Sequence, residues 1–256
     1  MKKLVYCAGA IALATPAMAS AGETYVGVSG GIVLPSNSQN SGSFDSAVPA
    51  TADWPEIPAD TSLGWTTEFE EGYAISGQFG HAFDNGFRAE LELNYSEYDV
   101  QTHSGLTVGG TNIDALDVAV LTRGAPDAAN PTVGEVIADG QGSVSNWGIF
   151  ANGFYDFNPQ GTFKPYIGAG LGYVNTDVKF SPSGVDVADE NDDGFAWQGI
   201  IGASFAVSEN VDIFAQGAYR ERFEDADIPL NLLPATLGVE TGQTTVSAGV
   251  RFRFGG

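Results

Sequence analysis

Cysteine is almost absent from this chain of 256 residues: Cys7 is the only one, and it lies near the start. Residues 1–19 read as a secretory signal peptide. Lys2 and Lys3 supply the positive start, Leu4 to Ala14 the apolar stretch, and Pro16-Ala17-Met18-Ala19 a small-residue cleavage site before Ser20. Removal of this leader leaves no thiol, which excludes disulfides, cysteine nucleophiles and thiolate metal sites. Cys7 follows Val5-Tyr6 where a lipoprotein anchor would have a run of small residues, so no such anchor is expected. Long apolar runs are also missing. The leader's stretch falls short of the roughly 20 residues that a spanning helix needs, and no long run follows it. An exported chain without a spanning helix is either soluble or a closed barrel, because only helices and closed barrels pair every backbone group in lipid. Bases are scarce as well. Ten Lys and Arg stand against 32 Asp and Glu, a net charge of −22, which becomes −24 once Lys2 and Lys3 are lost. That balance argues against nucleic acid and anionic membrane surfaces as partners. It favours an acidic outer face open to cations or basic partners, or simply a solvated one.

What the chain does have is alternation. Phe87, Ala89, Leu91, Leu93 and Tyr95 fall on one side of a strand, and Arg88, Glu90, Glu92, Asn94 and Ser96 on the other, since successive strand side chains point to opposite faces. Eight segments share this pattern: 23–33, 70–83, 86–99, 145–157, 164–178, 194–207, 210–223 and 243–254. The gaps between them run long, short, long, short, long, short, long. The short ones are Asp84-Asn85-Gly86, Asn158 to Phe163, and Ser208-Glu209. Asn-Gly suits the positive φ of a twisted hairpin turn. The long ones, 34–69, 100–144, 179–193 and 224–242, are rich in Pro, Gly, Asp, Ser and Thr. An even strand count with tight turns at one end and large loops at the other predicts an all-β fold, an eight-stranded antiparallel up-and-down transmembrane barrel. Its turns would lie in the periplasm and its loops outside a Gram-negative outer membrane. Residues 20–256 would form this one domain. In the second loop, Ile113, Leu116, Val120 and Leu121 space as one face of a short helix.

The two faces can be assigned. Tyr73, Ile75, Phe79 and Phe83 share the lipid phase, as do Trp147, Ile149, Ala151 and Tyr155, then Val211, Ile213, Ala215 and Tyr219, and Val246, Ala248, Val250, Phe252 and Phe254. The lumen phase carries Gln78, Asn146, Asn152, Gln198, Asp212, Gln216, Arg220, Arg251 and Arg253. Aromatic residues gather near the strand ends, where amphipathic rings favour the bilayer interface.

Pro165-Tyr-Ile-Gly-Ala-Gly-Leu-Gly-Tyr173, Tyr219-Arg220 and the closing Val246-Ser-Ala-Gly-Val-Arg-Phe-Arg-Phe254 resemble strands of small outer-membrane barrels of the opacity-protein and outer-membrane-protein-A type. The likeness covers residues 1–254. It implies that Val250, Phe252 and Phe254 form the signal read by the envelope's barrel-insertion machinery. Gly255-Gly256 follow the Phe at which the family usually stops. No peptidoglycan-binding domain follows in this sequence, so that anchoring role does not carry over.

Candidate chemistry is sparse. Asp189-Glu-Asn-Asp-Asp-Gly194 opens like a calcium loop, with Asp189, Asn191 and Asp193 as candidate ligands, but the twelfth position is Ile200 where a bidentate Glu is needed. The plainer reading is an acidic loop entering a strand. Gly168, Gly170 and Gly172 lack the spacing and the following helix of a nucleotide site, and are expected to ease strand curvature or to leave room inside a narrow barrel. Of the two histidines, His81 shares the lipid phase near the periplasmic rim and His103 lies in the second loop. His103 with Asp225 or Asp227 would be the raw material of a rim enzyme; an exposed loop histidine is the expectation. The lumen charges are better placed. Arg88, Glu90, Glu92, Arg251 and Arg253 share the inward phase, and Glu90 or Glu92 is expected to pair with Arg251 or Arg253, since unpaired charge there is costly. An eight-stranded barrel is just wide enough for side chains to fill it.

The sequence therefore reads as a monomeric, integral outer-membrane barrel in contact with lipid, with a largely plugged lumen. Its role would be structural or a surface interaction through acidic loops with an extracellular ligand or cations. No catalytic residue and no cofactor are assigned. A narrow, porin-like pore for ions or small solutes is the first alternative, and a rim enzyme acting on lipid or peptide the second.

Overall fold

The computed structural model describes residues 22–254. The signal peptide at 1–19 and the Gly255-Gly256 pair lie outside the described residues. Thirteen strands and two short helices occur in the order β1 Gly22–Pro35, β2 Ser38–Phe44, β3 Ser62–Phe69, β4 Gly72–Phe83, β5 Phe87–Val108, β6 Thr111–Asn112, α1 Ala119–Thr122, α2 Val133–Ile137, β7 Gly142–Asp156, β8 Phe163–Phe180, β9 Ala188–Ser208, β10 Val211–Arg222, β11 Ala226–Pro229, β12 Ala235–Val239 and β13 Gln243–Phe254. Eight of them close a ring, β1-β4-β5-β7-β8-β9-β10-β13 and back to β1, antiparallel throughout. The closing ladder pairs β1 with β13 from Thr24 opposite Phe254 to Pro35 opposite Gln243. No edge is left open within this ring, as a hydrocarbon surround requires.

The alternation decides which side is which. Leu93, Trp147 and Ile201 are exposed outward to 60, 60 and 67%, whereas Gln78, Glu92, Asn152 and Gln198 on the opposite phase are buried inward. Aromatic rings mark two levels. Tyr95 packs against Trp147 at 4.8 Å, Tyr173 against Phe195 at 5.3 Å and Trp197 against Tyr219 at 5.6 Å towards the outside. Phe87, Tyr155 and Phe157 do so at 5.2 and 5.4 Å near the short turns. Phe87 and Tyr95 lie on one strand, roughly 26 Å apart at about 3.3 Å per residue. Tilted by about 40°, that separation spans roughly 20 Å of membrane height, the scale of an outer-membrane apolar band. At the first short turn Gly86 takes the positive φ of 88°, and Asn85 Oδ1 accepts from Phe87 N–H at 3.1 Å.

The long gaps are not loops throughout, which corrects the sequence reading. The barrel wall continues outward through short breaks. β2 prolongs β1, β3 leads into β4, β11 prolongs β10, and β12 leads into β13. The neighbours are conserved across the breaks: β12 pairs with β2, β2 with β3, β3 with the outer part of β5, and β11 with β12. The break residues stay bonded, with Ser36 N–H donating to Gly242 O at 2.8 Å and Glu70 N–H to Asp99 O at 2.8 Å. β8 and β9 remain paired as far as Phe180 and Ala188, so the predicted loop 179–193 is mostly ladder. The expected helix at 113–121 shrinks to α1, four residues long. The other helix, α2, was not anticipated, although Thr132 and Glu135 form a capping box that is legible in the sequence.

Polarity inverts at the membrane boundary. Along the inward phase of β5, Arg88, Glu90, Glu92, Asn94 and Ser96 give way to Tyr98 and Val100. On β8 the inward Thr176 gives way to Val178 and Phe180, and on β7 Asn146 to Val144. Below the boundary the wall is apolar outside and polar inside. Above it the inside is a hydrophobic core built on Val33, Phe44, Leu63, Val144, Phe180 and Leu237. The phase makes a specific demand. Leu91, midway between the Phe87 and Tyr95 levels, should not tolerate charge: Leu91→Arg is expected to cost about 2–4 kcal/mol in lipid-vesicle unfolding. Glu71→Arg, exposed above the band, should cost nearly nothing. Equal, small effects at both sites would place the membrane band elsewhere.

Candidate functional site

The lumen is filled in two polar layers. In the layer nearer the short turns, Arg88 donates to Asp156 from Nε at 3.1 Å and from Nη2 at 3.3 Å, and to the Tyr25 hydroxyl from Nη1 at 3.0 Å. Tyr25 in turn donates to Glu90 Oε2 at 2.7 Å, while Arg88 Nη1 lies 3.6 Å from the same carboxylate oxygen. The next layer centres on Glu92. Its Oε1 accepts from Ser76 at 3.1 Å and from Arg220 Nη2 at 3.2 Å. Its Oε2 accepts from Asn152 at 3.0 Å and from Gln198 at 2.9 Å. Arg220 also donates to Gln198 Oε1 from Nε at 3.1 Å and Nη2 at 2.7 Å, and to Asn94 Oδ1. A buried carboxylate with four donors, one of them cationic, has the satisfaction that burial of charge demands.

Aromatic rings fill the remaining space, each opposite a glycine on the adjoining strand. The pairs are Tyr25 with Gly80, Phe150 with Gly172, Phe154 with Gly168, Tyr166 with Gly202, and Phe214 with Gly249. In every pair a Cβ on the glycine would collide with the ring. The three glycines of the Gly168-x-Gly170-x-Gly172 run all face inward, two against rings and Gly170 against the Asn152 side chain. The guanidinium groups stack on these rings: Arg88 lies 4.2 Å from the Phe154 centroid, Arg220 4.1 Å from Phe150 and Arg251 4.0 Å from Phe214. Stacking of cations on ring faces adds attraction that strengthens as water is removed.

Arg251 and Arg253 do not meet Glu90 or Glu92, contrary to the expected pairing. Tyr25 stands between them: its hydroxyl binds Glu90, and its ring lies 5.5 Å from Arg251. Arg251 has rings and the Tyr166 hydroxyl at 3.4 Å, and no carboxylate among the described residues. Arg253 sits at the periplasmic end, 2.8 Å from Glu23 and 3.3 Å from Asp212. Below the layers a polar vestibule of about 230 Å³ opens between Glu23, Lys164, Asp212 and Arg253.

Above the layers lies the apolar-cored outer lobe. His103 belongs to β5 and is 3% exposed, so it is not the exposed loop histidine that the sequence suggested. Its Nδ1 is 2.8 Å from Thr67 Oγ1, and its ring meets Trp65 edge-on.

Residues 46–255 match a family described as surface antigen. The chain belongs to this surface-antigen family. Outer membrane protein PagN of Salmonella typhimurium is 27% identical over 195 residues, 64% of this chain and 80% of that protein. Major surface antigen 4 of Anaplasma marginale is 26% identical over 179 residues, 68% of this chain but only 57% of that protein. Among solved structures, the outer membrane protein OprG of Pseudomonas aeruginosa superposes with a TM-score of 0.59 at 13% identity, covering 93% of this chain and 98% of that one. That likeness establishes the fold alone. This surface-antigen barrel is a Gram-negative outer-membrane protein.

The remaining sequence candidates fall apart in space. Asp189, Asn191 and Asp193 alternate along the exposed side of β9, opposite Lys179, Asp177 and Asn175. An extended strand spreads its side chains where a calcium loop would converge them. Asp189 is 3.9 Å from Lys179, and Asp193 accepts from Asn175 at 2.8 Å. Asp227 N–H donates to Asp192, which also pairs with Arg222 at 2.6 Å. Neither Asp225 nor Asp227 is hydrogen-bonded to His103, whose bonded neighbour is Thr67. His81 stays on the outer phase beside Phe83, 3.1 Å from Thr24 Oγ1. The sequence reading missed Asp156, the ring-over-glycine pairs and the bonding of Arg220. The signal for the rings was present: Phe150 and Phe154 share the parity of Asn146 and Asn152.

The lumen geometry ranks its arginines. Arg220→Gln leaves Glu92 without its cation and is expected to cost about 3–5 kcal/mol, partly recovered in the Glu92→Gln/Arg220→Gln double variant. Arg251→Gln should cost less, because it strands no carboxylate. A denaturant double-mutant cycle in vesicles that finds Arg251 as costly as Arg220, or no coupling to Glu92, would contradict this network.

Proposed function

We propose that this surface-antigen barrel acts at the cell surface, through an acidic outer lobe that attracts cationic partners, while its filled lumen serves as a structural plug. The observation that carries the reading is the continuation of the wall beyond the membrane band. Hydrogen-bonded strands fix part of the outer carboxylate set, Glu68, Asp99, Asp189, Glu190, Asp193 and Asp227 among it, and the short segments between the strands carry the rest. Arg123, Lys179 and Arg222 are the only bases in these outer segments. Two of the three are engaged by Asp189 and Asp192, and most other outer acids, such as Glu56, Glu70, Glu71 and Glu190, face solvent. Such a field steers basic ligands and weakens as salt screens it.

In this reading Arg88, Glu90, Glu92, Arg251 and Arg253, joined by Arg220 and Asp156, hold the wall together from inside. The outward, lipid-facing Phe252 and Phe254 with Val250 present the insertion signal to the assembly machinery. Because the ring leaves no strand edge unpaired, the barrel needs no second copy to be complete, which supports a monomer. Proteoliposomes carrying the protein are expected to bind oligolysine, with affinity that falls as ionic strength rises. Replacing Glu56, Glu70, Glu71 and Glu190 together by Gln should weaken that binding without changing the folded fraction. Binding no greater than to protein-free vesicles, or insensitive to the four replacements, would sink the proposal.

A further inference from the structure

The outer lobe is not solid. A cavity of about 480 Å³ lies between its strands and the segment carrying α1 and α2, well within the range of about 300–1,000 Å³ typical of small-molecule sites. Its walls are almost wholly apolar, with Phe44, Leu63, Leu106, Val120, Phe180 and Leu230 among them. Polar side chains interrupt the lining; Trp54 Nε1 and Thr122 Oγ1 donate to Gly124 O and Ala119 O, which leaves His103, Trp65 and Arg123. Each has a buried nitrogen without a hydrogen-bond partner, namely His103 Nε2, Trp65 Nε1 and Arg123 Nε.

The tautomer of His103 follows from its neighbours. Ser38 Oγ donates to Asn40 Oδ1 at 2.6 Å, and Asn40 Nδ2 donates to Thr67 Oγ1 at 2.6 Å. The Thr67 hydroxyl hydrogen then has His103 Nδ1 as its acceptor. The ring proton is left on the buried Nε2. Burial pushes the His103 pKa down to about 4, opposed in part by Asp139, so the ring is a neutral donor. Arg123 keeps its charge, and its Nη2 donates to the carbonyls of Pro49 and Pro55. The residues of the lining thus hold three buried N–H groups without a partner, one of them on a cation. Leaving buried donors unpaired is costly, and a ligand that brings oxygen acceptors relieves that cost.

We propose that this cavity binds a single-chain fatty acid, its chain against the apolar walls and its carboxylate oxygens accepting from the unpaired N–H donors. The test uses the protein's own fluorescence. Of the four tryptophans, Trp54 and Trp65 line the cavity, while Trp147 and Trp197 lie on the lipid phase. In a Trp147→Phe/Trp197→Phe background, bromododecanoic acid should quench the two remaining indoles saturably. Dodecanoic acid should reverse the quenching, and dodecylamine should not. Arg123→Gln should weaken binding roughly tenfold through loss of a charge-assisted contact, and Val120→Phe should abolish it by filling the cavity. Leu233→Phe, at another point of the same wall, replaces Val120→Phe if that variant fails to fold. Quenching that rises without saturation, that dodecylamine reverses equally, or that survives the filling substitution would overturn the proposal.

Discussion

Closure of the β1–β13 ladder is the constraint on which everything else depends. In hydrocarbon an unpaired strand edge costs several kcal/mol per exposed backbone group, so the ring has to shut. With eight strands it shuts on a space only as wide as its own side chains. Inward residues therefore meet one another, and each must be satisfied there. Glycines opposite Tyr25, Phe150, Phe154, Tyr166 and Phe214 make room for rings, the rings make surfaces for guanidinium groups, and the guanidinium groups neutralise Glu90, Glu92 and Asp156. Remove the closure and none of these contacts has a reason to form.

The same wall solves the opposite problem outside the membrane. Once the strands leave lipid, their outer faces are wet and their inner faces need not be polar. The inward phase switches from Ser96 to Tyr98 and from Thr176 to Val178, and the lobe acquires a hydrophobic core like that of a soluble sheet. The polarity change, not a change of strand order, marks the boundary. It also explains why carboxylates crowd the exterior of the lobe, where water and ions screen their repulsion.

The barrel was legible in the sequence because period-2 alternation and the long–short rhythm of gaps report strand phase and connectivity directly. The lipid face followed from the same parity. The interior partners were not legible. Phase says that Glu92 and Arg251 point inward, but strand tilt and the bulk of Tyr25 decide that Glu92 meets Arg220. The outer lobe reads as loop in the sequence because β2, β3, β11 and β12 are short, and β2 and β3 are rich in Ser, Thr and Gly. The pairing of β2 with β12 joins segments about two hundred residues apart, which no local pattern announces. His103 reads as a solvent-exposed residue in the sequence for the same reason. The ladder between β3 and β5, with the Phe180 ring of β8 4.9 Å away, buries it.

In the proposed reading, a packed lumen and a built outer lobe together place the protein's work at the surface and not in transport. The most direct measurement of that claim is single-channel recording in planar bilayers. Wild-type protein should show no steady conductance steps, whereas the Phe150→Ala/Arg220→Ala double variant, which hollows the Glu92 layer, should pass measurable current. Stable, ohmic steps from the wild-type barrel would mean that the arginine and carboxylate layers line a water path, and would contradict the account.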